Sequence, residues 1–394
     1  MSKSKRGQLI IMSEIFINSY SAICNLGSSL DTIFANAIKC GNEFFTNDSD
    51  IVKDKTFPLG KVKTALPAID DEIYNLRCNR LLLYCANQLV SDIKKAINKY
   101  GKNRIGIVIG STNAGSDEYE KSGNIRHAMI GNPAGFLKKQ LGLSGYYCGV
   151  STACTSGIKA FAAGKKLIDS GVCDAVIAGS TDAICKTPVF GFHALEVLSQ
   201  KPTLPFSKNR NGINIGEGSA LFILEKQPQE YSVKICAIGE TSDAYHCATP
   251  DPQGTEAARA INLALKEANL KYTDIDYINM HGTGTISNDL MEANAIKTSS
   301  LDKTPASSTK SLTGHCLGAS GGIETALCCA MLDTRLNPKN FLLPHFYDNL
   351  YDDKLPLLNL VQKGQQAGRL NFILNNSFGF GGSNASMILG RACV

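Results

Sequence analysis

The sequence predicts a layered α/β fold. Short β-branched runs alternate with stretches of helical spacing, Gly, Ser and Asn collect at the joints, and the same order of elements occurs twice. In each part that order is strand, helix, strand, helix, strand, helix, then two strands in succession, with a break near residues 226–230. The expected organisation is a flexible lead-in at 1–11, a first half at 12–228 and a second half at 229–394. Each unit is too large for a solenoid repeat, and two copies packed sheet to sheet would make one pseudo-symmetric body.

In the first part, strands are expected at 16–20, 105–110, 146–151, 174–178 and 220–225, where Val, Ile, Phe and Tyr recur between turn residues. The second part places them at 233–238, 277–280, 371–375 and 385–389. Helical spacing covers 30–38, 80–100 and 155–170, then 256–269, 289–297 and 321–332. The segments 46–55 and 347–355 read as ordinary solvated connections, and no low-complexity tract is present.

Composition narrows the function. The 394 residues are 43% hydrophobic and 19% charged, enough to bury a large core. Forty Lys and Arg against 35 Asp and Glu leave a net charge of +5, too mild for a nucleic-acid stripe but compatible with an acidic protein partner. The 14 cysteines include no CxxC spacing, and in a chain this long they read as reduced thiols of a cytoplasmic protein. Lys3, Lys5 and Arg6 precede an apolar patch, but Ser13 and Glu14 interrupt it, which disfavours a secretion signal. No run approaches the roughly 18 apolar residues that span a bilayer.

Candidate chemistry begins at Ser151-Thr152-Ala153-Cys154-Thr155-Ser156-Gly157, between an expected strand and an amphipathic helix. Unpaired N–H groups at a helix start favour a thiolate, so Cys154 is expected to have a lowered pKa and to act as a nucleophile. Two histidines lie in glycine-rich settings: His281 in His-Gly-Thr-Gly-Thr at the end of a strand, and His315 after Lys310, where the duplication places it opposite Cys154. A turn at 375–384 could supply a backbone N–H to an oxyanion and carry an aromatic gate. Glu217, without a second carboxylate, reads as structural. Neither glycine cluster matches a nucleotide-binding loop, and the absence of close ligand pairs disfavours a metal.

Taken together, the segments STACTSG (151–157), NRNGINIGEG (209–218), SDAYH (242–246), HGTGT (281–285), STKSLTGH (308–315) and NSFGFGGSN (376–384) resemble, in order, those of the elongating β-ketoacyl-acyl-carrier-protein synthases of the thiolase fold. The resemblance extends from about Met12 over nearly the whole chain. It implies a five-layered α-β-α-β-α body and a decarboxylative Claisen condensation between an acyl group on Cys154 and malonyl-acyl carrier protein. His281 and His315 would complete a Cys-His-His triad, with Lys310 and Glu324 as supporting charges. Thr283 and Thr285 would hold the phosphopantetheine arm. The backbone N–H groups of Cys154 and Phe380 would form the oxyanion hole, and Phe380 would be the gate. No redox cofactor or metal is implied.

The resemblance also implies a carrier-protein docking face, for which Arg77, Arg80, Lys121, Arg126, Lys138 and Lys139 are candidates, and a dimer, with itself or with a related subunit. Three positions depart from the family pattern: Ser207 and Asn211 replace aspartates, and Ile286 replaces a proline. The stretch 198–205 is also short. Residues 195–218 and 242–254 are more similar to ketosynthases of bacterial aryl polyene clusters, and Asn113 falls near the family's acyl-pocket wall. The competing readings are a non-catalytic subunit resembling a chain-length factor, which would lack the nucleophile, and a thiolase or initiating synthase using acyl-CoA.

Overall fold

A computed structural model describes residues 13–392; the expected lead-in at 1–11 lies outside them. The first half runs β1 (Ile15–Cys24), α1 (Leu30–Lys39), the hairpin β2 (Thr46–Asp48) and β3 (Phe57–Leu59), α2 (Arg77–Gln88), α3 (Val90–Tyr100), β4 (Ile105–Gly110), α4 (Ser116–Ser122), α5 (Ile125–Ala128), α6 (Asn132–Leu141), β5 (Tyr147–Val150), α7 (Ser156–Asp169), β6 (Ala175–Asp182), α8 (Lys186–Ala194) and β7 (Gly218–Glu225). The second half runs β8 (Val233–Ser242), α9 (Thr255–Ala268), β9 (Tyr277–Asn279), α10 (Ile286–Thr298), β10 (Ala306–Ser307), α11 (Lys310–Thr313), α12 (Ser320–Leu332), β11 (Phe372–Gly379) and β12 (Ser383–Arg391).

The principal strands pair in the order β10-β9-β11-β12-β8-β1-β7-β6-β4-β5. This order is two five-strand patterns joined back to back where β1 meets β8 at Ile15–Ile17. In the first, β1–β7 and β7–β6 are antiparallel, whereas β6–β4 and β4–β5 are parallel. The second repeats the same directions through β8–β12, β12–β11, β11–β9 and β9–β10.

Side-chain alternation along the strands sets the layers. On β6, Val176 and Ala178 join the core around α7 and α12, whereas Ala175 and Ile177 face α2 and α3. On β12, Ala385 and Met387 join the same central core, and Ile388 faces α9 and α10. Helices therefore cover the outer faces while α7 and α12 fill the centre, giving the five layers. The two central helices cross at glycines: a Cβ on Gly157 would meet Gly322 N at 2.7 Å and Gly318 O at 2.9 Å.

Three expectations change. The single helix at 80–100 is two helices, because Leu89 N–H turns back to Ala86 O and tightens the backbone before α3 resumes. The connection at 46–55 contains β2, paired to β3. Segment 347–355 is no free loop: Asp348 accepts from Ser207 Oγ and Asn209 Nδ2, each at 2.8 Å, and Asp352 accepts from Arg210 Nη1 at 2.6 Å. The carboxylates missing around Arg210 in its own segment are thus supplied from another part of the chain. No helix among the described residues is long and apolar enough to cross a membrane.

Candidate active site

Between β5 and α7 the chain makes a tight turn, with Ala153 in the left-handed region at φ 53. Thr152 N–H donates to Ser156 Oγ at 2.9 Å, and that hydroxyl donates to Ala153 O at 2.6 Å. The turn leaves Cys154 6% exposed at the start of a 14-residue helix. A Cβ at Gly379 would lie 3.2 Å from Cys154 N, so any larger residue would have to push the C-terminal strand and the nucleophile turn apart by a few tenths of an ångström.

His281 follows β9. Its N–H and that of Gly282 donate to the Glu292 carboxylate at 2.8 and 2.6 Å. His315 sits between α11 and α12, held by His315 N–H to Asn214 O at 2.7 Å and Gly216 N–H to His315 O at 3.0 Å. Its Nε2 lies 3.0 Å from Cys154 Sγ and its Nδ1 lies 3.0 Å from Ser320 Oγ. The two imidazoles stand nearly perpendicular, at 87° with centroids 5.5 Å apart. The ligand-capable atoms of Cys154, His281 and His315 all fall within 4.8 Å of one another. That closeness removes the spacing argument against a metal, since residues far apart in sequence converge here.

Electrostatics correct one expectation. Burial pushes the Cys154 thiol up to about 11, outweighing Lys310 and the N–H groups of Phe380 and Cys154, which pull it down. The charge and N–H groups that favour the thiolate are real, but desolvation is the larger effect. Burial, then the Lys310 charge, also drives both histidines well below the usual imidazole range. The resting site is therefore a neutral thiol beside neutral imidazoles. Lys310 Nζ meets Glu324 Oε1 at 2.5 Å with both side chains 1% exposed. Burial raises the Glu324 carboxyl while Lys310 holds it down.

A narrow cavity, with a volume of about 30 Å³, opens onto the three residues and is lined also by Phe380, Thr283 and Thr285. Phe380 packs on Phe192, ring centroids 5.4 Å apart, a neighbour from α8 that sequence reasoning missed. Thr283 and Thr285 hydroxyls lie 3.1 Å apart, and Thr285 also caps α10. Asn113 is not in the cavity lining: its amide donates to Ala183 O and Cys185 Sγ at 3.1 and 3.0 Å.

The docking candidates divide. Arg77 is committed inward, donating to Glu217 through Nε at 2.7 Å and Nη2 at 2.6 Å. Lys121 pairs with Glu118 and Lys139 with Asp71, each at 2.7 Å. Arg80 donates to Asn75 at 2.8 Å, Lys138 lies 4.5 Å over the Tyr147 ring, and Arg126 is exposed. The residues missed at the site are mostly hydroxyls and carboxylates that orient backbone: Ser320, Ser377, Ser383, Thr155, Asp289 and Glu292. Single Ser or Thr positions carry no periodic signal, although Ser377 and Ser383 do lie within the NSFGFGGSN segment.

A duplicated α/β layer with a cysteine from one copy and two histidines from the other is the arrangement that the resemblance to acyltransferases of the thiolase-like fold implies, and the family matches support that class. Residues 71–230 match the family described as Beta-ketoacyl synthase, N-terminal domain, and residues 233–343 match Beta-ketoacyl synthase, C-terminal domain. The chain belongs to the β-ketoacyl synthase family. It is 31% identical over 337 residues to 3-oxoacyl-[acyl-carrier-protein] synthase 2 of Coxiella burnetii, covering 78% of this chain and 80% of that one. The enzyme of the same name from Staphylococcus aureus strain COL is 29% identical over 98% of this chain and 99% of its own. Among solved structures, a ketosynthase in complex with its chain length factor from Xenorhabdus doucetiae superposes with a TM-score of 0.90 at 36% identity, covering 96% and 98%. A beta-ketoacyl synthase from Burkholderia phymatum superposes at 0.86 with 25% identity, covering 97% and 100%.

Proposed function

We propose that this chain is a 3-oxoacyl-acyl-carrier-protein synthase that condenses an acyl group on Cys154 with malonyl-acyl carrier protein. The carrying observation is the 3.0 Å contact between Cys154 Sγ and His315 Nε2. In the first half-reaction His315 takes the Cys154 proton, the thiolate attacks the acyl thioester, and the proton passes to the departing carrier thiol. The N–H groups of Cys154 and Phe380 hold the tetrahedral oxyanion.

In the second half-reaction, neutral His281 and His315 donate hydrogen bonds to the malonyl thioester oxygen. The malonyl carboxylate leaves as CO2, and the resulting enolate carbon attacks the acyl carbonyl. The C–S bond to Cys154 breaks, its thiolate is reprotonated, and a 3-oxoacyl thioester leaves on the carrier. His315 Nε2 must accept a proton in one half and donate in the other. Ser320 Oγ can either accept from Nδ1–H or donate to Nδ1, so it supports both tautomers.

The Thr283 and Thr285 hydroxyls in the cavity lining suit a phosphopantetheine arm. β5 is an edge strand whose first residue, Tyr147, is 44% exposed, as is the preceding Tyr146 at 51%, which supports pairing with a second subunit along this edge. The relatedness to a ketosynthase solved in complex with its chain length factor favours a related but distinct partner. An aryl polyene pathway is proposed from residues 195–218 and 242–254 alone. The chain-length-factor reading is disfavoured because the nucleophile and both histidines converge. Intact-protein mass spectrometry with a panel of acyl-carrier proteins tests the function: an acyl adduct that malonyl-carrier protein then extends supports it, and an adduct that is never extended refutes condensation.

A further inference from the structure

Two hydroxyls tie the turn that carries Phe380 to the turn that carries Cys154. Ser377, near the end of β11, donates through Oγ to Cys154 O at 2.8 Å. Ser383, the first residue of β12, has its Oγ 2.9 Å from Thr155 Oγ1, and Thr155 is fully buried beside the nucleophile. That Thr155 hydroxyl also reaches Thr152 O at 2.7 Å and Thr152 Oγ1 at 2.9 Å. Ser377 and Ser383 therefore stand on the two strands that flank Phe380, and each holds one of two consecutive residues, Cys154 and Thr155. Between them Gly379 runs so close that a Cβ there would lie 3.2 Å from Cys154 N.

The intervening turn is rich in glycine. Gly381 and Gly382 have φ of 81 and 77, and residues 380–382 make one short turn between antiparallel strands. On its far side the turn is held by Gly381 N–H to Cys247 O and Asp243 N–H to Gly382 O, each at 2.8 Å, from the connection after β8. Those bonds tie it to a surface segment, not to the nucleophile. The turn also closes the β11–β12 ladder and packs Phe380 on Phe192, but among the side-chain hydrogen bonds of the described residues the two serine contacts are those that link its flanks directly to Cys154 and Thr155.

We propose that Ser377 and Ser383 are positioning residues that clamp the Phe380 amide in register with the Cys154 amide, so that both donors converge on one oxygen. The proposal rests on reading those two amides as the oxyanion site. An oxyanion donor is useful only when placed within hydrogen-bond distance of the developing charge, so loosening either serine weakens acyl transfer. Decarboxylation uses the His281 and His315 donors instead and does not depend on this register. The clamp thus separates the two half-reactions.

The test combines rates with a vibrational signature. Ser383→Ala and Ser377→Ala are each expected to slow acylation of Cys154 about tenfold, and together more. In a Cys154→Gln background, the same serine changes are expected to leave malonyl-carrier decarboxylation within about twofold, since its donors lie elsewhere. Ser383→Thr, which keeps the hydroxyl, should restore acylation. Infrared difference spectra of the acyl-enzyme made with a 13C-carbonyl acyl group then separate two failures. A wild-type carbonyl band without a shift to lower frequency overturns the oxyanion reading itself. A shifted wild-type band that stays unchanged in Ser377→Ala/Ser383→Ala overturns the clamp. Equal loss of acylation and decarboxylation, with a lowered unfolding midpoint, also overturns it in favour of a general structural role.

Discussion

Cys154 Sγ lies 3.0 Å from His315 Nε2 although 161 residues separate the two. The contact exists because each copy of the repeat turns from strand toward central helix at the same level, and the two turns face each other across α7 and α12. Cys154→Ala is expected to abolish the acyl-enzyme, and Cys154→Gln to leave decarboxylation of malonyl-carrier protein measurable. An acyl mass retained on Cys154→Ala in intact-protein mass spectrometry would refute the nucleophile assignment.

Decarboxylation should be insensitive to pH where an ordinary histidine titrates. Burial and the Lys310 charge hold both imidazoles well below the usual value near 6.5. Measured in Cys154→Gln, the rate should stay flat from about pH 8 down to about pH 6, since neutral donors persist there. A midpoint near 6.5 would mean that at least one imidazole is solvated and charged.

Lys310 and Glu324 form an ion pair buried from solvent. Removing one partner strands the other charge, so Lys310→Met should destabilise the fold by about 3–5 kcal/mol in denaturant titration. Lys310→Met/Glu324→Leu should recover much of that loss without recovering decarboxylation. Restored turnover in the double variant would show that the pair acts only through stability.

Buried His345 accepts from Ser308 N–H at 3.1 Å and has Nε2 3.0 Å from Pro205 O; burial lowers its pKa to about 4. Below the unfolded value near 6.5 the unfolded chain binds the extra proton, so this residue's contribution to stability falls as pH drops from about 6.5 to 4. The difference in unfolding free energy between wild type and His345→Gln should therefore shrink across that window. A difference independent of pH would show that His345 does not titrate on unfolding.

The crossing of α7 and α12 at Gly157 permits no Cβ, since both nearest contacts are backbone atoms under 3.0 Å away. Gly157→Ala should lower stability by about 2–4 kcal/mol through displacement of the central layer. Because those helices carry the turns of the site, acylation should fall as well. An unchanged melting temperature would show that the helices part without penalty.

Much of the fold was readable because the strands are apolar and bounded by turns: the expected strand at 105–110 is β4, and both halves repeat one order. What escaped was short or held by distant partners. β10 has two residues, and α4 to α6 are brief segments without a long amphipathic period. Cys154, His281 and His315 were found through their glycine-rich settings and the family resemblance, whereas Ser320, Ser377 and Ser383 are single hydroxyls. The pairing of Arg77 with Glu217 could not be read because the two lie 140 residues apart. The lowered thiol pKa misled because a helix start is visible in sequence and the depth of burial is not.

Placing the thiol on the first copy and both imidazoles on the second has a consequence for synthesis on the ribosome. A nascent chain that has emerged through residue 230 carries Cys154 but neither His281 nor His315. The 3.0 Å contact between Cys154 Sγ and His315 Nε2 can form only after the second copy has been made and docked. A stalled or truncated product of the first half therefore has the thiol without either imidazole of the site.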